Sequence, residues 1–256
     1  MIVRSIQTSR IPIARQDLLG LLDRYVGQLE EGSVLAITSK LVSICEGRFV
    51  ECEAAQKQAL IESEAERFLP AGASKHNVVL TIKDLRLIPS AGIDESNAND
   101  HYILWPSDAQ QTANAVRSFL CERFARRHVG VVITDSTTAP LRCGVNGIAL
   151  AHSGFHALND YVGTPDLFGR PLRMTRVNVA DALAVAAVLT MGEGNEQTPL
   201  AVLSDLPFVV FQERGPSDAE LESLRIKPED DLYAPLLLAV CWQTKGDARP
   251  MPKAGA

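Results

Sequence analysis

The sequence predicts an α+β fold in which mixed β-sheets pack against helices. Short runs of β-branched and apolar residues, such as 34–37 and 131–133, lie between longer segments whose apolar residues recur at helical spacing. The two kinds of segment do not alternate regularly enough to require a doubly wound parallel sheet. With 256 residues, of which 46% are hydrophobic and 22% charged, the chain is long enough to bury a large core.

Two amphipathic helices are predicted within the first 70 residues. Apolar residues between 18 and 25 recur at i, i+3, i+4 and i+7, and a shorter stripe of Ile61, Ala65 and Phe68 ends before Pro70. β-type runs separate the helices along the whole chain. We expect strands at residues 34–37, 78–82, 131–133, 200–203 and 208–211.

Two further helices carry signals at their ends. Apolar residues between 109 and 124 mark the third helix, and Ser107, followed three residues later by Gln110, predicts a capping box at its start. The fourth helix, over about residues 179–191, is almost entirely Ala, Val and Leu, so we expect it to be buried on most sides. Asn178 is typical of a helix N-cap, and Gly192 of a helix end.

Charge and composition argue against several classes of protein. The formal net charge of −6 leaves no basic surplus to neutralise phosphates, so we expect no nucleic-acid partner. The first residues lack the apolar stretch of a secretory signal, and the apolar run at 234–242 is too short to span a membrane. Five cysteines without a short-spaced pair indicate a reducing compartment. We therefore expect a cytoplasmic protein without a membrane partner.

Two segments combine small or hydroxyl residues with a charge at the end of an apolar element. Ser39 and Lys40 follow the strand at 34–37, where a hydroxyl and an ammonium group suit an anion such as phosphate. A helix N-cap followed by a surface lysine is the competing interpretation. Residues 191–196 place Glu193 between two glycines in an accessible loop, which a helix C-cap and a solvated turn also explain.

Two aspartates occupy comparable positions. Asp135 comes soon after the strand at 131–133, which is a rigid support for a metal ligand or a catalytic acid. A turn or N-cap aspartate is the structural alternative. Asp94 and Asn97 follow a run of small residues that lets the backbone approach a ligand, and carboxylate oxygens attract hard cations. An Asx turn explains this segment equally well.

Several segments, in this order, resemble the motifs of one family: Arg10-Ile11-Pro12-Ile13, Ile37-Thr38-Ser39-Lys40, Ala91-Gly92-Ile93-Asp94-Glu95-Ser96-Asn97, Thr134-Asp135-Ser136, Asp160-Tyr161, Gly169-Arg170 and Met191-Gly192-Glu193. The family is that of the coenzyme F-420:L-glutamate ligases, which are γ-glutamyl ligases. The similarity extends over roughly the first 205 residues.

The resemblance implies a reaction that consumes GTP with two divalent ions, Mg²⁺ or Mn²⁺, and joins L-glutamate to an acceptor through an acyl phosphate. By position, the implied metal ligands are Asp94, Asp135, Ser136 and Glu193. The implied nucleotide contacts are Ile11, Pro12, Ser39, Lys40, Asn97, Gly192, Gly194 and Asn195. The residues implied to act in catalysis are Asp94, Asp135 and Lys40.

The resemblance also implies that the acceptor is a cofactor carboxylate. The segment that ends in Leu104-Trp105-Pro106 resembles a subgroup associated with folate metabolism, so a folate-type acceptor ranks narrowly above the deazaflavin precursor of coenzyme F-420. Ile44 stands where the family has a lysine, and residues 137–142 replace the family's Phe-Gly-Arg-Pro-Trp-Arg. A nucleotide-binding member without ligase activity and a metal-dependent phosphohydrolase are the alternatives.

The resemblance and the composition of the chain also predict a domain organisation and an assembly. We expect a ligase domain over residues 1–205, a C-terminal extension over 206–245 packed on that domain, and a flexible tail over 246–256. The resemblance implies an F-420 ligase-like fold and an intertwined homodimer.

Overall fold

The computed structural model describes residues 1–70, 72–76 and 78–246. The chain divides into two compact units. Unit 1 consists of Met1–Arg48 and Pro106–Leu224, and unit 2 consists of Phe49–Trp105 and the described residues from Arg225 to Gly246. The predicted boundary at residue 205 stays a prediction, and the predicted tail lies outside the described residues except for Gly246.

The described residues form a mixed α+β fold, which confirms the predicted class. The α-helices are α1 (Leu18–Tyr25), α2 (Ser39–Glu46), α3 (Lys57–Glu64), α4 (Ala109–Phe124), α5 (Val179–Met191), α6 (Asp218–Ser223) and α7 (Ala234–Leu237). The strands are β1 (Ile2–Ile6), β2 (Ser33–Thr38), β3 (Phe49–Glu51), β4 (Arg67–Phe68), β5 (Leu80–Lys83), β6 (Arg86–Pro89), β7 (His101–Ile103), β8 (Val129–Thr138), β9 (Val145–Ser153), β10 (Leu158–Asp160), β11 (Arg176–Asn178) and β12 (Leu200–Ser204). None of the helices described has the length and apolar character needed to cross a membrane.

Unit 1 is built on a five-stranded sheet with the strand order β1-β12-β2-β8-β9. β2 and β8 are parallel, and the other neighbouring strands are antiparallel. Because side chains alternate along a strand, the sheet has two apolar faces. Leu35 and Ile133 belong to the core shared with α1, α2 and α4, whereas Ala36 and Val132 belong to the core shared with α5.

Unit 2 contains the three-stranded sheet β4-β5-β6 and the β3-β7 pair. Its core includes Ile61, Phe68 and Leu104. Gly92 is required by its surroundings, since its φ is +73° and a Cβ there would lie 2.1 Å from the indole Nε1 of Trp105. A substitution at Gly92 would therefore meet both backbone strain and a steric clash.

The fourth predicted helix is confirmed at both ends. The Asn178 side chain accepts a hydrogen bond from the N–H of Asp181, and α5 ends at Gly192. The expectation that this helix is buried on most sides is wrong for one stripe. Val185 and Leu189 are 39% and 83% exposed, so α5 presents apolar side chains to the outside of unit 1.

Two predicted elements differ because residues distant in sequence determine the backbone pairing. The second predicted helix, which was expected to continue to Phe68, ends at Glu64, and Phe68 instead pairs with Thr81 in β4-β5. Residues 208–211 do not form a strand, and Phe211 makes a single bridge to Phe155. Both outcomes depend on partners that local spacing does not reveal.

The start of the third helix also differs from the prediction. Asp108, not Ser107, is the N-cap of α4, and its carboxylate accepts the N–H of Gln111. The N–H and hydroxyl of Ser107 donate to Glu46, at 2.8 and 2.7 Å. A carboxylate on α2 therefore replaces the predicted capping box.

Arg117 on α4 is buried and fastens three backbone segments of unit 1. Its Nε donates to the carbonyl oxygen of Val129, and its Nη2 donates to those of Arg127 and Gln212, each at 3.2 Å. Its side chain also fills the space beside Gly154, where a Cβ would lie 2.6 Å from the guanidinium Nε. The guanidinium group therefore satisfies carbonyl groups of the chain around β8.

His152 on β9 predicts an acid-sensitive stability. The side chain is 2% exposed and its ring packs against Phe155, and burial lowers its pKa from 6.5 to about 4. The unfolded chain binds a proton at His152 below pH 6.5, whereas the folded chain does not bind it until about pH 4. The free energy of unfolding therefore falls as the pH is lowered through that window. We expect His152 to account for a loss of about 3 kcal/mol of unfolding free energy between these two pH values.

Urea unfolding between pH 7 and 4.5 measures this effect. In a His152→Asn variant, the free energy of unfolding should depend less steeply on pH than in the wild-type protein. His156→Gln, at a half-exposed histidine, is the control and should keep the steep profile. Equal slopes for the wild type and His152→Asn would contradict the assignment to His152.

Candidate active site

Four of the predicted segments lie at one edge of the sheet in unit 1. Ile37 of β2 pairs with Leu200 at the start of β12, and Leu200 also pairs with Ile6 at the end of β1. β8 runs parallel to β2 towards the same edge. The segments that follow β1 and β2, the distal part of β8 and the loop before β12 therefore meet there. The carboxyl ends of parallel strands are a common location for ligand sites.

Hydrogen bonds connect these segments directly. The N–H of Thr38 donates to the carbonyl oxygen of Pro199 at 3.0 Å, and the N–H of Thr8 donates to that of Gln197 at 2.8 Å. The hydroxyl of Ser136 donates to Glu193 Oε2 at 3.4 Å. The loop 192–199 is therefore joined to β8 and to the segments that adjoin β1 and β2.

Ser39 and Lys40 form the first turn of α2. Thr38 is the N-cap, and its hydroxyl oxygen accepts the N–H of Leu41 at 3.3 Å. The competing interpretation of this segment, a capped helix start, is therefore correct. The helix start nevertheless lies at the shared edge together with Lys40, and a lysine beside the positive end of a helix favours anions.

Asp135 does not follow the end of its strand, as was expected, because β8 continues to Thr138. β2 stops at Thr38, which pairs with Thr134, so the last residues of β8 pair only with β9. The side chains of Asp135 and Ser136 point to opposite faces by strand alternation. Ser136 lies on the α5 face with Glu193, and Asp135 lies on the α2 face with Ile133.

Ile11 and Pro12 lie in the segment between β1 and α1. Ile11 is half-buried and packs against the core that contains α1, α2 and α4. The carbonyl oxygen of Pro12 accepts a hydrogen bond from the side-chain amide of Gln16 at 3.0 Å. This segment follows Thr8, so it starts at the shared edge.

Asp94 and Asn97 belong to unit 2. Asp94 forms the Asx turn that was the alternative interpretation, because its carboxylate accepts the N–H of Ser96 at 2.7 Å and the hydroxyl of Ser96 at 3.0 Å. Asn97 has a φ of +54°, a conformation that asparagine tolerates better than most residues. A metal or nucleotide role for these two residues stays a prediction.

The donor types at the edge suit Mg²⁺ or Mn²⁺, since hard cations prefer carboxylate and hydroxyl oxygens. The structure brings together one such pair, Ser136 and Glu193. Nowhere in the described ranges do three or more His, Cys, Asp or Glu side chains gather closely enough to hold a metal ion. The fit is therefore partial, and substrate oxygens and waters would have to complete a coordination shell.

Sequence reasoning missed the residues that shape the loop 192–199. The carboxylate of Glu196 accepts the N–H of Gly194 at 2.8 Å, and the hydroxyl of Thr198 donates to the carbonyl oxygen of Met191. Thr8 holds the other end of the loop. Glycines flanked by acidic and hydroxyl residues were the available signal, but they are equally typical of a solvated turn.

Comparison with known proteins places the chain in a family. Residues 13–205 match the model of the F420-0:gamma-glutamyl ligase family. The chain is 32% identical over 246 residues to a coenzyme F420:L-glutamate ligase of Methanopyrus kandleri, covering 87% of this chain and 95% of the relative. A relative of the same name from Archaeoglobus fulgidus is 33% identical over 213 residues, covering 77% of this chain and 85% of the relative. The family match and these identities show that the chain belongs to the F420-0:gamma-glutamyl ligase family.

Proposed function

We propose that this protein is a γ-glutamyl ligase that uses a nucleoside triphosphate, GTP in the first place, to attach L-glutamate to a carboxylate of a cofactor-sized acceptor. The observation that carries the proposal is the meeting of residues 8–12, 38–40, 135–136 and 192–197 at one edge of the sheet in unit 1. Relatives that are about one-third identical are named coenzyme F420:L-glutamate ligase, which agrees with this assignment.

The first turn of α2 is the proposed binding site for the phosphates of the nucleotide. Backbone N–H groups at a helix start and the ammonium of Lys40 both favour an anion. Ile44, where the family has a lysine, is only 5% exposed on the same helix. Lys40 therefore supplies the proposed positive charge from this helix.

Asp135 on one face of the distal part of β8, and Ser136 with Glu193 on the other, would hold the two divalent cations that the resemblance implies. When bound, Mg²⁺ or Mn²⁺ supplies positive charge against the terminal phosphates and orients them. Asp94 was implied as a further ligand by the resemblance, and this role remains a proposal. The residues of the chain contribute mainly by positioning and electrostatic stabilisation.

The proposed chemistry has two steps. The acceptor carboxylate attacks the γ-phosphorus, which breaks the bond to the bridging oxygen and gives an acyl phosphate and a nucleoside diphosphate. The amino group of L-glutamate then attacks the acyl carbon, loses a proton and releases inorganic phosphate. Lys40 would offset negative charge during the first step.

Two acceptors are supported by different observations. The names of the relatives favour the deazaflavin precursor of coenzyme F-420. The substituted segment 137–142 favours an acceptor other than that precursor, and the resemblance of the segment that ends at Pro106 to the folate-associated subgroup favours a folate-type acceptor. The nucleotide and metal chemistry would be the same for both.

Mass spectrometry of products tests the proposal. Purified protein is supplied with GTP or ATP, Mg²⁺ or Mn²⁺, L-glutamate, and a mixture of the deazaflavin precursor and tetrahydrofolate. The expected result is a glutamate-sized gain in mass on one acceptor, together with phosphate release that requires both glutamate and that acceptor. Phosphate release that ignores both would indicate a phosphohydrolase. Nucleotide binding without phosphate release would indicate a family member without ligase activity.

We also propose that the protein is a homodimer. The exposed apolar stripe of Val185 and Leu189 on α5 and the side chains of Leu167 and Phe168, 98% and 87% exposed between β10 and β11, are surfaces that a second copy could cover. A Leu189→Glu variant should lower the mass measured by light scattering towards that of the monomer. Leu232→Glu, at an exposed leucine of unit 2, should leave the mass unchanged. A monomeric wild-type protein would overturn the proposal.

A further inference from the structure

The loop 192–197 is folded around the carboxylate of one of its own residues. Glu196 Oε2 accepts the N–H of Gly194 at 2.8 Å. A Cβ at Gly192 would lie 2.5 Å from Glu196 Cδ and 2.8 Å from both carboxylate oxygens. Gly192 also has a φ of +80°. The absence of a side chain at Gly192 is therefore needed for Glu196 to occupy this position.

The ends of this loop are held by other residues. The hydroxyl of Thr198 donates to the carbonyl oxygen of Met191, and the N–H of Thr8 donates to that of Gln197 at 2.8 Å. These bonds fix where the loop leaves α5 and where it approaches β12. Between these two ends lie Glu193 and the N–H of Gly194, which the Glu196 carboxylate accepts.

We propose that Glu196 is a positioning residue that shapes the loop for nucleotide and cation binding. Its carboxylate accepts the N–H of Gly194 and packs against Gly192, one residue on each side of Glu193. This geometry lets Glu193 reach the hydroxyl of Ser136. The functional consequence rests on the proposed ligase activity, whereas the shaping of the loop does not.

Two substitutions separate hydrogen bonding from charge. Glu196→Gln keeps an oxygen that can accept the Gly194 N–H, and Glu196→Ala removes it. The loop is exposed, so neither change should lower the melting temperature. Glu222→Ala, at an exposed carboxylate on α6, is the matched control.

Hydrogen–deuterium exchange of a peptide spanning residues 192–197 reports loop shape without any assay of activity. We expect exchange at this loop to accelerate about tenfold in Glu196→Ala, as loss of one hydrogen bond implies. Glu196→Gln and Glu222→Ala should exchange like the wild-type protein. Equal exchange in wild type and Glu196→Ala, or equal acceleration in the Gln and Ala variants, would overturn the proposal.

The functional consequence is read from nucleotide affinity and kinetics. Calorimetry with GTP and Mn²⁺ should show affinity about tenfold weaker for Glu196→Ala and nearly restored for Glu196→Gln, with the larger kinetic effect on KM for the nucleotide than on kcat. Unchanged affinity in Glu196→Ala would overturn the role in binding. A wild-type protein that binds GTP but forms no glutamyl product would refute the ligase, while the affinities would still decide the role of Glu196.

Discussion

An Asp135→Asn variant is expected to lose at least about 100-fold of its ligase turnover while remaining folded. The substitution preserves size and removes one negative charge from the distal part of β8, where the proposed cation faces the phosphates of the nucleotide. Because an amide oxygen is a weaker ligand for Mg²⁺ than a carboxylate, the metal concentration for half-maximal activity should also rise. Steady-state kinetics at varied Mg²⁺ measures both effects.

Asp205→Asn is the matched control for this experiment. Asp205 directly follows β12 at the opposite end from Leu200, and it pairs with the N-terminal ammonium group, so its loss should leave turnover unchanged. Thermal unfolding establishes that both variants are folded. An Asp135→Asn protein with wild-type activity would exclude Asp135 from the cation site.

An Arg117→Met variant is expected to lose about 3 kcal/mol of unfolding free energy, because the buried hydrogen bond to Val129 and the part-buried ones to Arg127 and Gln212 are lost together. Methionine preserves much of the length and apolar contact of the arginine side chain, so the loss reports on the hydrogen bonds. The measurement is the midpoint of urea unfolding followed by circular dichroism.

Arg123→Met on the same helix is the control for Arg117→Met. Arg123 is half-exposed and pairs with the exposed Asp23, and such a surface ion pair contributes at most about 1 kcal/mol. Its midpoint should therefore change little. If Arg117→Met unfolded at the wild-type midpoint, the carbonyl groups of Val129, Arg127 and Gln212 would have found other donors.

Elements with local signals at both ends could be predicted closely from the sequence. α5 is the clearest case, because Asn178 and Gly192 act through the backbone of their own helix. The start of α4 could not be predicted in this way. Ser107 contacts Glu46, 61 positions earlier, and no local pattern identifies that partner.

The candidate site shows the same division. The sequence identified Lys40, Asp135 and Glu193 as candidates, since each is a polar residue close to an apolar element. Their segments meet at one edge of the sheet because β8 pairs in parallel with β2 and β12 lies between β1 and β2, which is a matter of topology. Asp94 remains a candidate from the motif alone, because its carboxylate accepts hydrogen bonds from Ser96 in a local turn.

The parallel pairing of β2 with β8 has a consequence for how the chain folds. Ser33 pairs with Val129, and roughly ninety residues separate the two strands, including the whole segment Phe49–Trp105 of unit 2. These residues must be synthesised, and the loop that they form must close, before the two strands can pair. Lengthening that insert should slow folding considerably while costing little equilibrium stability, because closure entropy grows only slowly with loop length. On the ribosome, β2 must therefore wait for its partner, and its apolar edge is open to misassembly or chaperone capture during that interval.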